Sequence, residues 1–254
     1  MLPAAIWRRP ALPAWPALVL SLLAFCLPAH AASLQISPVR IDLPAGAGAA
    51  AMTLRNAAST PIHAQVRVFR WTQANGADVL APADDVVASP PIVRIAGNSE
   101  QLVRVVRPGH VPATTETAYR LLIDELPQRD APADQSGVRV QLRYSIPVFA
   151  GTPSAAPSPP LAVTLRRDEG EWRLAARNNG TRHARISDAA LVNGGQRVTI
   201  TAGLLGYTLP GAIRIWKISV PAGFVPGSGL RLDAAINGEP QTLPVSQERP
   251  EPGT

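Results

Sequence analysis

The chain has 254 residues, of which 46% are hydrophobic, 17% charged and only 5% aromatic, and its 27 prolines are about twice the ordinary share. That length supports one or two domains with real cores, and the hydrophobic fraction excludes disorder throughout. The formal charge is +6, from 24 basic residues (23 Arg and the single Lys217) and 18 acidic ones. Acidic residues are interleaved with the arginines, so no basic stripe marks a nucleic-acid partner, and none is expected.

The first residues set the compartment. Arg8 and Arg9 precede an apolar run from Ala17 to Leu27, followed by Ala29-His30-Ala31. This is the pattern of a secretory signal peptide over residues 1–31, cut before Ala32. The run spans residues 17–27, well short of the ~20 needed to cross a bilayer, so no integral membrane anchor is expected. Cys26, the only cysteine, lies inside this segment, and Phe25 before it is too large for lipoprotein processing. The exported chain then has no thiol and no disulfide, and its domains must hold by packing.

After the cut, apolar runs with period-two alternation recur between Gly, Pro, Asn and Asp clusters, the pattern of an antiparallel sandwich. Seven fall in the first half: 34–43, 50–56, 63–71, 92–95, 100–106, 117–126 and 138–149. Seven short strands in about 120 residues fit an immunoglobulin-like sandwich, placed at 32–149. Residues 150–160, AGTPSAAPSPP, carry four prolines and read as a linker. Six further runs, at 161–167, 171–178, 183–190, 196–200, 213–220 and 230–236, predict a second β-sandwich over 161–245. Residues 246–254, SQERPEPGT, read as a flexible tail.

Catalytic signals are lacking. His63, His110 and His183 have no ligand partners at metal spacing, no serine sits in a G-x-S-x-G elbow, and no glycine-rich phosphate loop is present. The sequence therefore predicts neither an enzyme nor a cofactor. Asp84-Asp85 reads as a solvated turn, Trp71 and Phe69 as packing residues, and Trp172 and Trp216 as packing in the second half.

The informative segment is 138–149, VRVQLRYSIPVF. Val138, Val140 and Leu142 share one face, with Arg139, Gln141 and Arg143 on the other. A run of twelve residues is about twice the usual strand. It reads either as a half-buried strand or as an edge strand that lends its apolar row to another protein, since a long apolar edge is hazardous unless a partner covers it.

Five blocks resemble the periplasmic chaperones of chaperone/usher pilus systems, in particular the archaic branch that accompanies spore-coat-U-type pilins. They are LQISPVRIDL at 34–43, VRVFRWTQANGADVL at 66–80, SPPIVRIAGNSEQLVRVVRP at 89–108, AYRLLIDELP at 118–127 and VRVQLRYSIPVF at 138–149. The second half matches only in general pattern. The resemblance implies two immunoglobulin-like domains set at an angle around a cleft. It also implies an ATP-independent periplasmic protein that completes the open groove of a pilus subunit by donor-strand complementation and delivers it to an outer-membrane usher.

By the same resemblance the donor strand is Val138, Val140, Leu142, Tyr144 and Ile146, and Arg40 in SPVRIDL is the first-strand arginine that holds the subunit's C-terminal carboxylate. Better-known members carry a second basic anchor late in the donor strand, where this chain has Pro147; Arg120 and Arg143 are the candidates, with Arg120 preferred. Pro90-Pro91 looks like the family's proline pair. Self-association of the free protein is compatible with such an edge. Two rival readings stand beside this one: a secreted sandwich, such as a pilus subunit or adhesin module, that assembles itself, and an exported sugar-binding or hydrolytic β-protein, which the low aromatic content disfavours.

Overall fold

The computed structural model describes residues 34–109, 114–127, 140–151 and 158–248; the expected leader, Val138, most of the Pro-rich segment and residues 249–254 lie outside these. All of its regular elements are strands.

In the first half these are β1 (Leu34–Ser37), β2 (Ile41–Leu43), β3 (Ala49–Asn56), β4 (Ile62–Ala74), β5 (Ala77–Pro82), β6 (Val87–Ser89), β7 (Ile92–Ile95), β8 (Glu100–Val106), β9 (Thr117–Leu126) and β10 (Arg143–Ala150). They form two sheets, β1-β3-β8-β6 and β2-β10-β9-β4-β5, with β7 also paired to β4. Alternation decides which side chains go inward. Met52, Leu54, Val103 and Val105 from one sheet meet Val66, Leu121, Ile123 and Val148 from the other in a single core.

The predicted run 34–43 is split. Cis Ser37-Pro38 lies between β1, which pairs antiparallel with β3 in one sheet, and β2, which pairs parallel with β10 in the other. Two strands of the first half escaped prediction because their sequences do not alternate: β5 is exposed at every residue, and β6 has three residues. A second cis bond, Ser89-Pro90, lies in the expected proline pair.

The second half contains β11 (Leu161–Asp168), β12 (Glu171–Asn178), β13 (Ala184–Asn193), β14 (Gln196–Thr199), β15 (Leu204–Thr208), β16 (Ile213–Ile218), β17 (Arg231–Ile236) and β18 (Glu239–Glu248). The order is β14-β13-β17-β18-β11-β12-β16, with β15 on β13. β18 pairs with β17 through its first six residues and with β11 from Val245 onward, so one strand serves both layers. Ser246, Gln247 and Glu248, read from sequence as tail, instead face Thr164, Leu165 and Arg166 in that ladder. Leu165, Leu174, Ile186, Leu191 and Leu232 centre the core, and Trp172 and Trp216 pack against it.

Both halves turn a corner with the same device. Asn56 accepts the Ala58 amide at 2.9 Å and donates to the carbonyls of Thr60, Ile95 and Ala96. Asn178 accepts the Gly180 amide at 2.8 Å and donates to Arg182 and Thr208. Each is fully buried, and its amide satisfies backbone groups that the adjoining strands leave over.

Candidate functional site

β10 pairs with β9 along its whole length, from Arg143↔Asp124 to Ala150↔Thr117, but β2 covers its other side only from Val148 to Ala150. Among the described residues, nothing pairs with the outer edge of β10 from Arg143 to Pro147, because β1 has crossed to the opposite sheet. The Glu125 amide donates to the Leu142 carbonyl at 3.1 Å, which makes Leu142 and Glu125 a hydrogen-bonded pair. Pairs alternate, so the amides of Arg143 and Ser145 point away from β9, and Pro147 occupies an outward position where it removes no ladder bond to β9.

The row expected to act as donor divides in two. Val140 is 71% exposed and Leu142 is half-buried, while Val138 lies outside the described residues. Ile146 is only 6% exposed and belongs to the core of its own sandwich. Tyr144 packs against that core and donates its hydroxyl to the Leu34 carbonyl at 2.9 Å. Tyr144 and Ile146, expected in the donor row, thus pack in their own sandwich, which has already closed over them. Beside Leu142, burial raises the Glu125 carboxyl above its ordinary value, against the opposing pull of a hydrogen bond from the Leu142 backbone.

The three arginines occupy different environments. Arg40 is exposed, one residue before the first β2–β10 pair, and its Nε donates to Asp42 at 2.9 Å. Arg120 lies opposite Pro147, its guanidinium 3.7 Å from the Trp71 ring centroid and 5.5 Å from that of Tyr207. Burial pulls its proton affinity down and the charge of Asp78 pulls it back up, leaving it below the usual arginine value. Arg143 bonds Asp124, which also accepts from Arg67 at 2.6 Å. Burial alone would raise the Asp124 carboxyl, but the hydrogen bonds from Arg143 and Arg67 outweigh it and hold it below the ordinary carboxylate value.

Placed against known proteins, the first half gives a clear answer. Residues 33–155 match the pili and flagellar-assembly chaperone family, PapD N-terminal domain. Solved structures of two-domain chaperones share the fold across both halves. The complex of CsuC with the tip adhesion subunit CsuE, from archaic chaperone-usher Csu pili of Acinetobacter baumannii, is 24% identical, covers 85% of this chain and 100% of that one, and has a TM-score of 0.66. The Salmonella enterica SafA pilin–SafB chaperone complex gives 20% identity, 85% and 98% coverage, and 0.58; the E. coli chaperone DraB gives 19%, 85% and 97%, and 0.55. No curated protein matches the chain.

The first half is joined to the second by contacts that the sequence did not reveal. Glu116, just before β9, takes the His183 backbone amide and the His183 Nδ1 on the same oxygen, both at 2.8 Å, in a site from which solvent is excluded. The His183 ring stacks on Phe149 at 3.5 Å, and Phe149 belongs to a small cluster with Trp71, Ala118 and Leu209. Gln73 donates to the Tyr207 carbonyl and accepts the Leu209 amide. Gly76, in the β4–β5 turn, accepts from the Ile215 amide at 3.0 Å and from Arg214. A cavity of about 410 Å³ lies at this junction, lined by Arg70, Trp71 and Gln73 on one side and Leu209 and Pro210 on the other.

Asp85 also departs from its sequence reading as a solvated turn. Its Oδ2 accepts from the Tyr119 hydroxyl at 2.6 Å and from Arg70 at 2.7 Å. Burial and then that hydrogen bond push the Tyr119 hydroxyl up to about 12.

Proposed function

We propose that this protein is an ATP-independent periplasmic chaperone of the archaic chaperone/usher branch. It captures an incomplete immunoglobulin-like pilus subunit on the open edge of β10 and passes it to an outer-membrane usher. The observation that carries the proposal is the unpaired edge from Arg143 to Pro147, in a domain that matches the PapD N-terminal family. Arg143 and Ser145 offer outward amides, and carbonyls alternate with them, so an added strand gains main-chain bonds there. Val140 and Leu142 lie on the face that continues the sandwich core, so they enter the subunit's groove, and the sequence expectation adds Val138 to them. Burying Val140 and Leu142 supplies about 1.5–3 kcal/mol each before ordering costs.

The direction of the added strand follows from what blocks the edge. β2 already occupies the end at Val148 and runs parallel to β10, so a strand that continues it in line also runs parallel and reaches Arg40 with its C-terminus. Arg40 and Arg120 flank that end, Arg40 beside the first β2–β10 pair and Arg120 opposite Pro147, and they are the bidentate partners of its carboxylate. Without an amide at Pro147 the added ladder ends at the same level. Release needs no nucleotide, because the next subunit's own strand replaces the chaperone's.

The test is an affinity pull-down of the tagged chain from its native periplasm, with bound proteins identified by mass spectrometry. One small exported β-protein at 1:1, lost in Arg40→Ala, supports the proposal. A homopolymer would transfer support to a self-assembling sandwich, and recovery of no partner would overturn capture.

A further inference from the structure

Resting on the strand-addition reading above, we propose that Arg143 selects the incoming strand by an acidic side chain, a Glu or Asp on its outer face four residues before its C-terminal residue. Arg143 stands opposite Asp124, whereas Arg120 stands opposite Pro147, four residues further along β10. At ~3.3 Å per residue these levels are about 13 Å apart, too far for Arg143 to share one carboxylate with Arg40 and Arg120. Arg143 is thereby reassigned from carboxylate anchor to reader of a side chain.

The charge count leaves a place for that side chain. Arg67 and Arg143 both bond the single carboxylate of Asp124, so two cations share one anion. Asp124 is mostly buried, but the Arg143 side chain is 62% exposed, and among the described residues its guanidinium makes no other hydrogen bond. Glu125 lies on the opposite face of β9, Asp78 faces Arg120, and Asp42 holds Arg40, so no other carboxylate on this face offsets the second charge among the described residues. Among the described residues, β10 has no neighbour on its outer side at Arg143. A strand added there puts a same-face side chain about 5 Å away, within reach of the terminal guanidinium nitrogens. Counting from a C-terminal residue level with Pro147, that side chain belongs to the fourth residue before it.

The test uses the chain from Ala32 and fluorescein-labelled twelve-residue peptides of alternating Val and Thr with a free C-terminus, carrying Glu, Gln or Lys at that fourth position. Fluorescence anisotropy should show Glu binding about fivefold more tightly than Gln, and Lys more weakly than Gln, with the preference shrinking in high salt. It should vanish in Arg143→Gln and return in part in Arg143→Lys, with thermal melts showing that both variants are folded. Equal affinity for Glu and Gln, or a preference that survives in Arg143→Gln, overturns the inference. C-terminally amidated peptides separate the two levels: weaker binding on amidation with no Glu preference overturns the acidic reader alone. Failure of every peptide to bind overturns strand addition and the reader with it.

Discussion

Pro147 and Arg120 stand directly opposite each other across the β9–β10 ladder, and the missing amide of the proline faces the open edge instead of β9. The end of the ladder proposed for an added strand and a half-buried guanidinium therefore coincide at one level of the sheet. Arg40→Ala and Arg120→Ala are each expected to weaken subunit capture at least about tenfold, the effect of one charge-assisted bond. Titration calorimetry with the client subunit measures this. Thermal melts should separate the two: Arg40 is exposed and its loss leaves stability unchanged, while Arg120→Ala also loses the stack on Trp71, about 0.5–2 kcal/mol.

The division within the apolar row is testable by the same pair of measurements. Val140→Glu and Leu142→Glu should block capture and leave the melting transition near that of the parent. Ile146→Ala should lower stability by about 2–5 kcal/mol, because it opens a cavity in the core of the first sandwich. A melt unchanged in Ile146→Ala would return that residue to the donor row.

The Tyr119–Asp85 pair sets an alkaline limit. The hydroxyl is raised in the folded protein to about 12, above its unfolded value of roughly 10. Its contribution to stability is then fully present below pH ~10 and is lost as the pH rises through about 12. Ultraviolet titration should show one tyrosine ionising near the upper figure, absent in Tyr119→Phe, and the stability of that variant to denaturant should fall less steeply above pH ~10.

The junction between the halves should respond to loss of either of two contacts. His183→Ala removes the ring that bonds Glu116 and stacks on Phe149, at an expected cost of about 3–5 kcal/mol. At Gly76, with φ of 75°, an added Cβ would lie 2.6 Å from the Ile215 side chain, so Gly76→Ala should loosen the junction, and Ile215→Ala should rescue part of that loss. Calorimetry that resolves one transition into two reports the uncoupling; a single unshifted transition in both variants would show that these contacts carry no coupling.

The strands with a buried and an exposed face, such as β3 and β8, were legible because apolar and polar residues alternate through them. Those missed lack that contrast. β5 is exposed throughout, and β18 carries Pro240 and Pro244, which argue against a strand until its unpaired positions are known. At the site, the length of 138–149 signalled an edge, but sequence could not show where the sandwich's own core ends, which is what separates Leu142 from Tyr144. Glu116 and His183 are 67 residues apart and each looks like an ordinary surface residue in isolation. Only the folded chain shows that they meet away from water.

β2 closes one end of the outer edge of β10, and among the described residues no strand covers that edge at Arg143, so misalignment of a guest strand added as proposed would be one-sided. A strand that advances too far collides with the turn at Pro38–Arg40, whereas one that falls short loses pairs progressively. A slip of a single residue turns its side chains to the wrong face. In the complex proposed above, the edge would work as a ruler with a hard zero, on which a guest errs by stopping early but not by overshooting.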